Sequence, residues 1–207
     1  MELIISPDFT TTQSQAIKYL FDNKTNDILF GGAAGGGKSY IGCSWLIIMC
    51  LKYPGTRYLM DRSKLDNLKK TTLNTFFEVC SQWNIISGKH FNFNASSNII
   101  KFYNDSEIML KDLFYYPADP NYDSLGSLEI TGAFIDEANQ ITEKAKNIVN
   151  SRIRYKLDKF NLIPKLLLTC NPSKNWVYTS YYRKAKEGKI EPHKKFIQSL
   201  VDDNPYI

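Results

Sequence analysis

Along the chain, short apolar runs alternate with longer stretches in which apolar positions return every three or four residues. The first pattern suits buried strands, and the second suits helices that lay one face on a core. Asp27 to Phe30 (DILF) is a short apolar run ending in glycines, and Lys38 to Lys52 follows with so few polar positions that a deeply buried helix is predicted. Pro54-Gly55 stops that helix. Thr56 to Asp61 (TRYLMD) predicts the next strand. Ser63 or Asp66 is placed to cap a helix running to about Trp83, with Leu65, Leu68, Leu73, Phe76, Phe77 and Cys80 inward and Lys64, Lys69 and Lys70 toward water.

From Phe91 to Asp112 the pattern changes to a two-residue alternation with polar breaks at Ala95 to Asn98 and Asn104 to Ser106, which predicts antiparallel hairpins inserted into the core. Residues 115–127 are turn-rich. Thr131 to Ile135 predicts a strand ending in Asp136-Glu137, Thr142 to Lys156 a helix, Lys165 to Thr169 a strand, Asn175 to Lys186 a helix and Lys195 to Leu200 a last strand. The alternation of strand and helix predicts an α/β fold, a largely parallel central sheet flanked by helices and carrying an inserted antiparallel hairpin. No internal repeat or low-complexity linker interrupts it.

Size and composition narrow the class without naming a function. The 207 residues suffice for one well-buried domain spanning 1–207. An apolar share of 43% with 23% charged residues is ordinary for a globular chain, and no run approaches eighteen apolar residues, so a transmembrane helix is not expected. The start, MELIISPDFTTTQ, has no basic n-region or long apolar core, which leaves a cytoplasmic location as the expectation. Cys43, Cys50, Cys80 and Cys170 form no C-x-x-C pair, and His90 and His193 lie far apart, so zinc and disulfides are not expected. The net charge of +5 is compatible with a polyanionic partner but does not require one.

The chemistry is concentrated in GGAAGGGKSY. Gly32-x-x-x-x-Gly37-Lys38-Ser39 matches G-x-x-x-x-G-K-[ST], with a predicted strand before it and a helix after it, the context that makes the match specific. Glycines let successive N–H groups turn inward on phosphates, and the following helix adds its positive N-terminal end. The expected nucleotide-binding residues are Gly32, Ala33, Ala34, Gly35, Gly36, Gly37, Lys38, Ser39 and Tyr40. Lys38 would bridge the β- and γ-phosphates, and the Ser39 hydroxyl would meet Mg²⁺.

Hydrolysis also needs a second acidic group at the metal and a group that polarises water, both at the carboxyl edge of the sheet. Asp136, at a strand end, is the expected metal-side carboxylate, and Glu137 the catalytic one. An acidic helix N-terminus is the plain alternative for this pair. Asn171-Pro172 follows the strand Lys165 to Thr169 and places an amide near the γ-phosphate, although Asn-Pro also begins turns that bind nothing.

In this order GGAAGGGKS, FIDEA, LLLTCNPS with Trp176 close behind, and DDNPYI resemble the ATPase domain of the large terminase subunit of tailed bacteriophages, over nearly the whole chain. The resemblance implies an ASCE-type P-loop NTPase. It implies Mg-ATP hydrolysis coupled to translocation of double-stranded DNA into a procapsid, a homo-oligomeric ring on a portal, a small terminase subunit as partner, and work in the host-cell cytoplasm away from membranes. It also makes Gln13 the adenine-reading residue, with Gln15 as fallback, and Asn171 part of a coupling motif. The family's nuclease domain would need a further acidic metal cluster, which is not expected in this chain.

Relatives carry an arginine in the phosphate loop or before the acidic strand, where this chain reads GGAAGGGKS and DSLGS. The finger is therefore expected from Arg152 or Arg154, reaching a neighbouring subunit, with Arg62 next. DNA would be held through its phosphates by Lys64, Lys69 and Lys70, or by Lys184, Lys186, Lys189, Lys194 and Lys195. The competing readings are a RecA-type helicase or recombination motor, which the T-x-N-P segment disfavours, a small-molecule kinase, which has no use for Glu137, and a nucleotide switch without turnover.

Overall fold

The computed structural model describes residues 7–33 and 35–200. Ala34 and the DDNPYI segment, 202–207, lie outside the described residues.

Thr10 opens the first helix, α1 (Thr11–Phe21), through a reciprocal capping box with Gln13. Strand β1 (Asp27–Gly32) runs into helix α2 (Lys38–Lys52), which keeps the boundaries the sequence predicts and buries most of its residues. Then come β2 (Arg57–Arg62), α3 (Leu65–Lys70) and α4 (Thr72–Gln82). The predicted single helix over 63–83 is thus broken at Thr71 (φ −125°, ψ −76°), and neither Ser63 nor Asp66 caps it, since the residue before the first turn is Lys64.

Strands β3 (Phe91–Asn94), β4 (Ile99–Phe102) and β5 (Glu107–Asp112) follow, then β6 (Gly132–Ile135), α5 (Glu143–Arg152), α6 (Leu157–Phe160) and β7 (Lys165–Cys170). After a π-helical turn at Tyr178–Tyr182 come α7 (Arg183–Lys186) and β8 (Lys194–Ser199). Helix α5 stops at Arg152, four residues short of the expected Lys156.

The eight strands make one sheet in the order β3-β4-β5-β2-β6-β7-β1-β8. From β5 to β8 every pairing is parallel, and only β3 and β4 are antiparallel. The expected hairpin insertion is therefore an extension of the sheet edge, and β5 joins the core in parallel with β2.

Core residues alternate between the two faces with the period of a pleated strand. Ile28, Phe30, Tyr58, Met60, Phe134 and Leu167 face a cluster shared with α1, α2 and α4, while Leu29, Leu59, Ala133, Ile135, Leu166 and Leu168 face one shared with α5, Val177 and Tyr181. Both faces are covered, which is why these strands read as continuous apolar runs. At the carboxyl edge the tips of β1, β2, β6, β7 and β8 come together, the position at which open α/β sheets hold their ligands. No described helix is long and apolar enough to cross a membrane.

Candidate nucleotide site

The loop between β1 and α2 is shaped by what it touches. A Cβ on Gly32 would stand 1.7 Å from the Ser199 carbonyl oxygen, so only glycine lets the tips of β1 and β8 approach as they do. Ser199, fully buried, donates its hydroxyl to the Gly36 carbonyl at 3.1 Å, and its own carbonyl accepts from the Ala33 N–H at 3.3 Å. Gly37 closes the loop with φ +65°, a left-handed turn that glycine adopts without cost, and α2 begins at the next residue. The first-turn N–H groups of α2, those of Lys38, Ser39 and Tyr40, then have no acceptor within the helix and point at the loop's mouth.

Lys38 folds back so that its ammonium donates to the carbonyls of Gly32, at 3.2 Å, and Ala33. No described carboxylate forms an ion pair with it. Burial lowers its pKa, and the charges of Glu137 and Asp136 oppose that shift. The ammonium thus rests on neutral acceptors that an anion can replace.

Asp136 is nearly buried and collects three hydroxyls. Ser39 donates to Oδ2 at 3.0 Å, Thr72 to Oδ2 at 2.6 Å and Thr169 to Oδ1 at 2.6 Å. Glu137 follows with φ +53°, an unusual conformation for a residue with a side chain that costs about 1 kcal/mol or more and recurs at functional sites. It receives the Asn171 side-chain amide at 3.1 Å on Oε1. Burial, and then the neighbouring Asp136, push the Glu137 carboxyl above the usual carboxylate range, against Arg62 and Lys38, which pull it down.

This donor set suits a nucleotide with Mg²⁺. Side chains at Gly32, Gly36 and Gly37 would run into Ser199 and Gln13, which keeps the loop backbone bare, and the Ser39 hydroxyl and Asp136 carboxylate converge from different elements. No described cluster of three or more His, Cys, Asp or Glu could hold a metal, but Mg²⁺ at phosphates takes only one or two protein ligands.

The sequence profile of the phage terminase large subunit family matches residues 23–207. The chain belongs to that family. Its fold is similar to solved structures of phage terminases and of a phage DNA packaging ATPase. The large terminase of a thermophilic bacteriophage, solved in complex with ADP, superposes with a TM-score of 0.75 at 17% identity, over 96% of this chain and 47% of that one. The large terminase ATPase domain of Thermus phage P74-26 gives 0.61 at 14%, over 93% and 80%. The N-terminal domain of the DNA packaging ATPase from bacteriophage phi29 gives 0.60 at 12%, over 94% and 97%. Curated protein sequences give no match. This chain thus spans about half the length of the ADP-bound thermophilic phage terminase and nearly all of the phi29 domain.

Other residues singled out in this terminase sequence fall in different places. Gln13 is buried beside the loop, with its carboxamide engaged at both ends: Oε1 accepts the Thr10 N–H at 3.0 Å and Nε2 donates to the Gly37 carbonyl at 3.2 Å. Gln15 is exposed. Tyr40 turns its hydroxyl to Gln82 at 3.0 Å and packs edge-on against Phe9, leaving only its backbone for phosphate. Trp176 donates to the Ile141 carbonyl at 2.8 Å, and Asn175 to that of Asn139 at 2.7 Å, stitching the segment after β7 to the one after β6.

Arg152 and Arg154 do not stand at the site. A helix that follows a strand runs back along it, and at about 1.5 Å per residue α5 returns the chain to the amino edge. There the Arg152 carbonyl accepts the Ile130 N–H, its guanidinium donates to the Gly126 carbonyl at 2.8 Å, and Arg154 pairs with Glu129 at 3.3 Å. Of the two lysine groups, Lys184, Lys189 and Lys194 are held by Glu191 and Glu187, whereas Lys64, Lys69 and Lys70 form no ion pair among the described residues. Ser199 and Thr72 were not legible as site residues, because no local signal marks a hydroxyl that arrives from a distant element.

Proposed function

We propose that this chain is the ATPase motor domain of a DNA-packaging terminase, which hydrolyses Mg-ATP and couples the turnover to translocation of double-stranded DNA into a procapsid. The observation that carries the reading is the meeting of Ser39, Asp136, Glu137 and Asn171 at one sheet edge, each within 3.1 Å of another member.

Lys38 holds the β- and γ-phosphates by exchanging its contacts with the Gly32 and Ala33 carbonyls for phosphate oxygens. Ser39 and Asp136 hold Mg²⁺, which when bound offsets charge that develops on the phosphates. Glu137 accepts a proton from water as the water oxygen attacks the γ-phosphorus, and the bond to the β-phosphate oxygen breaks to leave ADP and phosphate. A carboxyl raised by burial is a better base for that step than an exposed one. Asn171 orients Glu137, and Thr169 ties the same strand to Asp136, so a change at the γ-phosphate is felt along β7. Gln13, already bonded to the loop, would read the adenine.

Double-stranded DNA would be gripped through its phosphates by Lys64, Lys69 and Lys70, which have no ion-pair partner among the described residues. The full protein would work in the host-cell cytoplasm as a ring on a portal, with a small subunit delivering the DNA.

The test is phosphate release across a protein concentration series, with and without duplex DNA, beside Lys38→Ala and Glu137→Gln. Turnover that is lost in both variants and stimulated by DNA supports the reading. Turnover that survives Glu137→Gln sinks the assigned chemistry.

A further inference from the structure

The chain has five arginines, and four are engaged away from the site. Arg57, at the start of β2, pairs with Glu107 at 3.0 Å; Arg154 pairs with Glu129; Arg152 is bound to the Gly126 carbonyl; and Arg183 lies 3.9 Å from Glu187 on its own helix. Arg62 is different. It closes β2 at the carboxyl edge, one step beyond the register pair Asp61 and Ile135, which sets it beside Asp136. The Asp136 N–H donates to the Asp61 carbonyl at 2.8 Å, so the two strand tips are locked at that level.

The Arg62 side chain shares a buried, unpartnered Nε with Arg152 and differs from it in standing at the carboxyl edge of the sheet. Its Nη1 donates to the Thr71 hydroxyl, its Nε is buried with no hydrogen-bond partner, and it has no ion pair among the described residues. A half-buried guanidinium with an unspent donor carries a desolvation cost that a single hydroxyl does not offset. Its planar fork matches a phosphate better than any neutral acceptor does. The resting contact is also placed where it can report. Thr71 is the residue at which the helix breaks, and the next residue, Thr72, gives its hydroxyl to Asp136. One two-residue hinge therefore holds both the arginine and the carboxylate beside Ser39.

We propose that Arg62 is the γ-phosphate arginine of this ATPase and acts in cis, leaving Thr71 for the γ-phosphoryl oxygens when ATP, but not ADP, occupies the loop. The inference rests on the nucleotide reading above and adds what that reading lacks, an arginine for the transferring group beside Lys38, since the phosphate loop carries none. It also removes the need for a neighbouring subunit to complete the chemistry.

The test is binding of ATPγS and of ADP, by calorimetry, to the wild-type chain and to Arg62→Ala, Arg62→Lys and Thr71→Val. Arg62→Ala should weaken ATPγS by roughly 10- to 100-fold, the range for a lost hydrogen bond to a charged group, and leave ADP within about twofold. Arg62→Lys should recover part of that loss. Thr71→Val, which removes the resting contact along with the Thr71 hydroxyl's hydrogen bond to the Asn67 carbonyl, should bind ATPγS at least as well as wild type. Phosphate release by Arg62→Ala should fall by about 10³-fold or more, and adding Lys38→Ala protein, which carries an intact Arg62 but a damaged loop, should not restore it. Equal loss of ATPγS and ADP, unchanged binding of both, or rescue by the Lys38→Ala protein would each overturn the cis assignment. A wild-type chain that binds neither nucleotide would instead remove the function on which the inference rests.

Discussion

The Ser199 carbonyl oxygen lies 1.7 Å from where a Cβ on Gly32 would stand, and the Ser199 hydroxyl donates to the Gly36 carbonyl at 3.1 Å. One residue at the tip of β8 thus sets both the start and the middle of the phosphate loop. Gly32→Ala should push the tips of β1 and β8 apart at a cost of about 1–3 kcal/mol. For a domain of this size, that lowers the thermal midpoint by roughly 2–4 °C per kcal/mol. Scanning fluorimetry reads the midpoint, and calorimetry reads the accompanying loss of ATPγS affinity. A variant with both unchanged would contradict the close approach.

Asn171 to Glu137 is one of two direct side-chain links between the tips of β7 and β6, the other being Thr169 to Asp136, and both are reinforced behind by Asn175 to Asn139 and Trp176 to Ile141. Asn171→Ala leaves those two outer bonds in place and frees Glu137 to rotate. Turnover should drop by roughly tenfold to a hundredfold, with nucleotide affinity nearly unchanged, the pattern of a group that matters more in the transition state than in binding. A weakened affinity with normal turnover would place Asn171 in ground-state binding instead.

Much of this arrangement is written locally. Helix α2 keeps its predicted ends because a glycine turn opens it and Pro54-Gly55 closes it, both signals carried by adjacent residues. The break at Thr71 could not be read, because its causes are the contacts of Arg62 with Thr71 and of Thr72 with Asp136, and the partners lie 9 and 64 positions away. The alternation in Phe91 to Asp112 gives strands but not their direction: the same period of two serves β4 antiparallel to β5 and β5 parallel to β2. The loop lysine, serine and acidic pair were legible as chemistry because their spacing is a chain property. Arg152 and Arg154 show the converse: close to Asp136 in sequence, they stand at the other edge of the sheet because α5 carries the chain back along it.

All four cysteines are buried, and burial pushes the thiols of Cys80 and Cys170 up to about 12 and those of Cys43 and Cys50 well above the usual thiol range. Since the thiolate is the reactive form, iodoacetamide at pH 8 should add to none of them in the folded chain. Intact-mass spectrometry should show no adduct before unfolding in urea and four adducts after it. Rapid labelling of Cys170 alone would mean that the β7 tip opens on its own.

Lys165 is buried at the start of β7 and donates to the Tyr19 and Thr25 carbonyls and to Asp22 at 2.9 Å. Burial by itself would raise the Asp22 carboxyl, but the Thr25 and Lys24 N–H groups and the Lys165 ammonium overcome it and hold the group far below the usual carboxylate range. A carboxyl whose folded pKa is depressed adds stability that is complete above its unfolded pKa, about 3.9, and is lost as pH falls through the folded value. Wild type should therefore lose stability below about pH 4 partly through this group. Asp22→Asn should cost about 1 kcal/mol or more at pH 7, where the buried Lys165 loses its counter-charge, and the gap between the two proteins should close as the pH is lowered from about 5 toward 2. Urea unfolding at several pH values measures that gap, and one that stayed constant would assign the acid sensitivity to other carboxylates.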